Sequence, residues 1–140
     1  MDNTEPNDVN NLLNTILKKK VIVIDDDPLV LKTIREYLKD EYDVAIAKGG
    51  NTAYRYLEDH HVDVVIIDFE MPGEKGDSVL LNIRKMPYAK DAAAIFLTGA
   101  ADTKTVMEIL KTKPQGYLVK PVSKEKLLDK IHEILHKSAV

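Results

Sequence analysis

The chain has 140 residues, a formal net charge of −3 at pH 7 and no cysteine. A chain of this size suits one domain and buries roughly 70% of the surface its unfolded form exposes, which is enough for a real core. Interspersed charge of both signs argues against a general nucleic-acid surface, the missing cysteines exclude a disulfide scaffold and thiol chemistry, and no apolar run approaches the ~20 residues of a bilayer span. A soluble cytoplasmic protein is the expectation, with no direct nucleic-acid or membrane contact.

After the polar start MDNTEPND, the residues Val9, Leu12, Leu13, Ile16 and Leu17 recur at helical spacing. They predict a short amphipathic helix in an extension spanning residues 1–19, ahead of a domain over 20–140. The run Lys20-Val21-Ile22-Val23-Ile24 is β-branched and almost continuously apolar, as a strand covered on both faces requires. Pro28 reads as an early residue of a helix carrying Val30, Leu31, Ile34 and Leu38. The alternation continues as a strand over 42–47, a helix over 50–59 and a second fully apolar strand over 62–68. Met71-Pro72-Gly73 breaks the chain into a loop, 77–86 reads as a helix, and 92–97 as another buried strand closed by Thr98-Gly99. A helix over 102–110 follows. Pro114 and Gly116 then precede a short strand, Tyr117-Leu118-Val119, and Ser123 can cap a final helix carrying Leu127, Leu128, Ile131, Ile134 and Leu135. The pattern is (βα)5: a doubly wound α/β fold whose right-handed crossovers place helices on both faces of a five-stranded parallel sheet, with an additional N-terminal helix.

Chemistry gathers where the apolar runs end. Asp25, Asp26 and Asp27 follow KVIVI, Asp68 closes VDVVIID, and Lys120 follows GYLV. If those runs are neighbouring parallel strands, the acids and the ammonium meet at the carboxyl edge of the sheet, where open α/β folds bind ligands. A magnesium ion uses one or two carboxylates plus waters and phosphate oxygens, and Asp26 and Asp68 are the best direct candidates, with Asp25 next. The cation would relieve their mutual repulsion. Asp68 is also a candidate nucleophile towards a charge-neutralised phosphoryl group, with Lys120 as a mobile point charge and Thr98 as a hydroxyl donor to phosphoryl oxygens. Taken singly, Lys120 is better explained as a solvated strand-end lysine and Thr98 as a turn former; it is their joint position that favours a site.

The segments VIVIDDDP, VVIIDFEMPGEKG, FLTG and GYLVKP, in this order, strongly resemble the receiver domain of two-component response regulators, over approximately 20–137. The resemblance implies a flavodoxin-like fold and Mg²⁺ as cofactor. It makes Asp25 and Asp26 the acidic metal pair, Asp68 the phosphoacceptor and a metal ligand, and Glu70 the residue whose backbone carbonyl helps bind the metal. Thr98 matches the switch hydroxyl, Tyr117 the switch aromatic and Lys120 the active-site lysine. The implied function is a signalling switch that accepts a phosphoryl group on Asp68 from a sensor histidine kinase or a histidine phosphotransfer protein and loses it by Mg-dependent autodephosphorylation. Such a protein catalyses its own modification rather than the turnover of an external metabolite. Its output face would comprise the helix over 102–110, the strand 117–119 and the final helix, offered to an unknown downstream protein or to a second receiver in a homodimer.

Lys113-Pro114-Gln115 stands where many relatives have a glycine-alanine step, so the end of the fourth helix is expected to be shaped differently. Two rival functions belong to other classes. A magnesium-dependent aspartyl phosphatase would use Asp25 and Asp27 as an acid-x-acid pair, but Leu29 stands where a threonine is common in that family. A phosphorylation-independent interaction module would be marked by loss of a key acid, and Asp26, Asp68, Thr98 and Lys120 are all present. His60-His61 and the i,i+4 pair His132 and His136 read as solvated helix residues rather than a metal site, and Tyr54 and Tyr56 as packing or surface residues. A glycine-rich nucleotide loop is missing.

Overall fold

The computed structural model describes residues 17–138 together with Val9, Leu12 and Leu13. The elements in chain order are β1 (Lys20–Ile24), α1 (Pro28–Leu38), β2 (Asp43–Ala47), α2 (Gly50–Leu57), β3 (Val64–Asp68), α3 (Gly76–Ile83), β4 (Ala93–Thr98), α4 (Thr103–Lys111), β5 (Gly116–Val119) and α5 (Lys124–Ser138). The five strands pair in parallel in the order β2-β1-β3-β4-β5. The chain therefore leaves β1 first to one side and then to the other, and the topological switch point falls between β1 and β3.

Period-two alternation divides the inner strands between two apolar layers. Val21, Val23, Val64, Ile66, Ile95 and Leu97 face α1 and α5, where Leu31, Ile34, Leu38, Leu127 and Ile131 close the layer. Ile22, Ile24, Val65, Ile67 and Phe96 face α2, α3 and α4, against Ala53, Leu57, Val79, Leu80, Ile83 and Ile109. Every position of β3 is buried, which explains the apolar run Val64-Val65-Ile66-Ile67 ahead of Asp68. The edge strands β2 and β5 are more exposed.

The helix ends follow from local chemistry. Pro28 opens α1, and the Asp27 carboxylate accepts the Leu29 N–H at 2.9 Å as its N-cap. Ser123 Oγ accepts the Lys126 N–H at 3.1 Å ahead of α5, the expected cap. The structure shortens several expected elements: β2 begins at Asp43 rather than 42 and α2 ends at Leu57 rather than 59. β3 begins at Val64 rather than 62, because the Asp63 carboxylate takes the Lys20 N–H at 2.8 Å. α3 ends at Ile83 rather than 86, close to Pro87, which disfavours helical backbone in the residue before it.

The additional N-terminal helix is corrected. Among the described residues the five helices are the five that follow the five strands. Both faces of the sheet are already closed by them, and Val9, Leu12, Leu13 and Leu17 are exposed at 49%, 62%, 46% and 73% rather than docked. The rest of the lead-in, including Ile16, lies outside the described residues.

Candidate functional site

Three strand ends converge on one pocket of charge. Asp25 stands one residue past β1, held by its N–H to the Ala47 carbonyl at 3.1 Å. Asp68 ends β3 in register with Leu97 of β4, so Thr98 lies one step further along the neighbouring strand. Beyond β5 the Lys120 N–H donates to the Thr98 carbonyl at 2.7 Å, and the Lys120–Pro121 peptide is cis.

Asp25, Asp26 and Asp68 each offer a carboxylate oxygen, all within 4.8 Å of one another. Asp25 is 0% exposed and Asp68 5%, whereas Asp26 reaches solvent. Lys120 Nζ bridges the two buried acids, 2.9 Å from Asp25 Oδ2 and 3.3 Å from Asp68 Oδ1. One ammonium against three carboxylates leaves negative charge uncompensated, and a hard, all-oxygen donor set of this kind suits a divalent cation. The acids also constrain one another's protonation. Burial, and then the charge of Asp25, push the Asp68 carboxyl above its ordinary range, although Lys120 opposes them. For Lys120 burial alone would lower the pKa, but the hydrogen bond to Asp25 and the charges of Asp25 and Asp68 outweigh it and hold the ammonium protonated.

The third acid of the run has a different task. Asp27 is turned away to cap α1, and its N–H donates to Asp25 Oδ1 at 2.9 Å. Asp27 is thus outside the carboxylate cluster, and the acid-x-acid pair of a phosphatase is not assembled.

Thr98 is fully buried and its hydroxyl is engaged twice: it donates to Glu70 Oε2 and accepts the Ala100 N–H at 3.1 Å. The Gly99 N–H donates to Glu70 Oε1 at 2.8 Å, while the Glu70 N–H donates to Asp68 Oδ1 at 3.2 Å. The Glu70 backbone therefore touches the acid cluster while its side chain reaches across to the end of β4. Tyr117 is half-buried against the layer containing Phe96 and Ile109.

Three supporting features have no signature in residue spacing. Gly76 opens α3 against the end of β3, where an added Cβ would lie 2.5 Å from the Asp68 carbonyl oxygen. The loop between β3 and α3 is tied to α2 and α3 through Glu74, which accepts from Tyr54 Oη at 2.8 Å and from Asn82 Nδ2 at 3.0 Å. Arg84 donates to the carbonyls of Thr112 and, at 2.8 Å, Lys113, whose φ of 54° takes the chain out of α4. The histidines do not build a metal site among the described residues: His60 pairs with Asp59 at 2.7 Å and His132 with Glu41 at 2.7 Å. Nor does any described helix have the length and apolarity to cross a membrane.

Comparison with known proteins agrees with this geometry. The family model of the response regulator receiver domain matches residues 21–132. Chemotaxis protein CheY-3 of Vibrio cholerae is 28% identical over 129 residues, covering 89% of this chain and 99% of its own. A probable C4-dicarboxylate response regulator, DctR of Priestia megaterium, is 31% identical over 110 residues, and the match covers 76% of this chain but 47% of the regulator. The chain thus spans about half the length of that relative. Among solved structures, the CheY4 chemotaxis protein of Vibrio cholerae superposes with a TM-score of 0.78 at 26% identity, covering 84% of this chain and 98% of that one. A response regulator receiver domain from Clostridium thermocellum superposes with a TM-score of 0.75 at 31% identity, covering 86% and 97%. With its acids clustered at the ends of β1 and β3 as in a phosphoaccepting signalling switch, the chain belongs to the response regulator receiver domain family.

Proposed function

We propose that Asp68 is the phosphoacceptor of this switch and that the donor is a phosphohistidine on a sensor kinase or phosphotransfer protein in the cytoplasm. An Asp68 carboxylate oxygen attacks the phosphorus, the phosphorus–nitrogen bond breaks, and its electron pair leaves with the imidazole. Lys120, 3.3 Å from Asp68 before reaction, is positioned to meet the charge on the transferred oxygens. Thr98 supplies a hydroxyl donor to the same oxygens. The carboxylates of Asp25, Asp26 and Asp68 and the Glu70 carbonyl would hold Mg²⁺, which supplies charge neutralisation for the phosphoryl group. In the return step a water oxygen attacks the phosphorus, the bond to Asp68 breaks and inorganic phosphate leaves. Rearrangement of Thr98 and Tyr117 would pass the change to α4, β5 and α5, the surface offered to a downstream protein or a second copy.

The observation that carries this reading is the buried Asp68, bridged by Lys120 to Asp25 within a three-carboxylate cluster. The test is incubation of wild type and Asp68→Asn with a small acyl phosphate and Mg²⁺, followed by intact mass and peptide mapping. One labile phosphate at Asp68, dependent on Mg²⁺ and absent from the variant, is expected. A folded Asp68→Asn protein modified at residue 68 contradicts it.

A further inference from the structure

We infer that the Glu70 carboxylate is a latch on the switch, occupying in the resting protein the donors that a phosphoryl group on Asp68 needs. The inference rests on Asp68 being the phosphoacceptor and concerns what limits its activation. Thr98 has one hydroxyl hydrogen and two acceptors within reach, the Glu70 carboxylate and the Ala100 carbonyl at 3.0 Å. The charge-assisted bond to the carboxylate is the stronger. The adjacent Gly99 N–H is taken by the second oxygen of the same carboxylate at 2.8 Å. Glu70 thus fills a small anion site made of one hydroxyl and one backbone N–H, on the strand next to the one that ends at Asp68.

The latch is built to open. Glu70 itself is exposed, so its side chain can swing into water without leaving a cavity, while Thr98 and Asp68 stay buried. A phosphoryl group on Asp68 is an anion that requires the same hydroxyl and repels the carboxylate. Activation is therefore an exchange of one anion for another at the end of β4. The resting population with Thr98 engaged by Glu70 lowers the apparent affinity for any phosphoryl mimic by the fraction of molecules in which the hydroxyl is free.

Beryllofluoride with saturating Mg²⁺ is a phosphoryl probe whose bound form can be followed by fluorine NMR. Glu70→Ala should bind it about tenfold more tightly than wild type, the factor expected when one charge-assisted hydrogen bond no longer has to be broken. A purely through-space effect of removing a negative charge would give the same factor in any background. The latch instead requires the gain to shrink to about threefold or less when Glu70→Ala is made in a Thr98→Ala protein, because the shared hydroxyl is gone. Equal gains in both backgrounds, or no gain in wild type, overturn the latch. If wild type and Asp68→Asn are equally unable to bind the probe, the assignment of Asp68 fails and the latch with it. Binding by wild type and not by Asp68→Asn, without the Glu70→Ala gain, removes the latch alone.

Discussion

The centre of the sheet and its β5 edge are held very differently. β3 is buried at all of its five positions and lies between β1 and β4, whereas β5 is an edge strand of four residues with no position fully buried. The helices repeat the contrast. α3 buries Gly76, Val79, Leu80 and Ile83, but α4 buries only Ile109 and leaves Met107 and Leu110 more than half exposed. Asp25 and Asp68 stand at the ends of strands fixed by extensive apolar contact, Lys120 reaches them from beyond the edge strand, and α4 and β5, which would report the reaction, are held by little. Elements with few buried contacts open at low free energy, which a switch requires of its readout.

Core truncation should expose the contrast most strongly. Ile66→Ala, in the middle of β3, should cost about 3 kcal/mol of unfolding free energy. Leu110→Ala, on the exposed side of α4, should stay within about 0.5 kcal/mol. Urea unfolding of both variants checks this, and similar losses would mean that the two regions are equally well held. Next in size is Lys120→Ala, which should slow acyl-phosphate-driven modification of Asp68 by about a hundredfold, the scale for removing a charge that stabilises a transition state.

Smaller effects sharpen the electrostatic side. Burial and Asp25 raise the Asp68 pKa above its ordinary value of 3.8, so folding is favoured by protonation of Asp68. That contribution is complete below the unfolded value and is lost as pH rises through the native one. Without Mg²⁺, Asp68→Asn should accordingly raise the melting temperature at pH 7 by about 2–4 °C, and the gain should disappear as both proteins are taken to acid. A gain that grows on acidification contradicts the sign. The smallest expected effect is where the end of α3 meets the end of α4. Arg84→Ala frees the last carbonyls of α4 and should cost about 1 kcal/mol or less, with faster amide exchange confined to residues around 109–115.

How much of this was legible in the sequence depends on the range of the interaction. The β-branched runs set the inner strands because parallel strands buried on both faces must be apolar throughout, and the acids after KVIVI and within VVIID placed the site because strand ends share an edge. Asp27 was grouped with its neighbours in sequence, yet as an N-cap its side chain is committed to the helix that Pro28 opens. Glu70 was legible only through its backbone carbonyl. Its side-chain bond to Thr98 spans 28 residues and depends on the register of β3 against β4. The lead-in showed helical periodicity, but periodicity does not supply a surface to dock on, and the described apolar positions there are exposed.

The most direct test of the division between a fixed centre carrying Asp25 and Asp68 and a loosely held reporting edge is amide hydrogen exchange with and without beryllofluoride and Mg²⁺. Exchange in β1 and β3 should be slow in both states, while the largest change falls between Thr98 and Val119, through α4 and β5. A change confined to the loops after β1 and β3, with α4 and β5 unaltered, would contradict it.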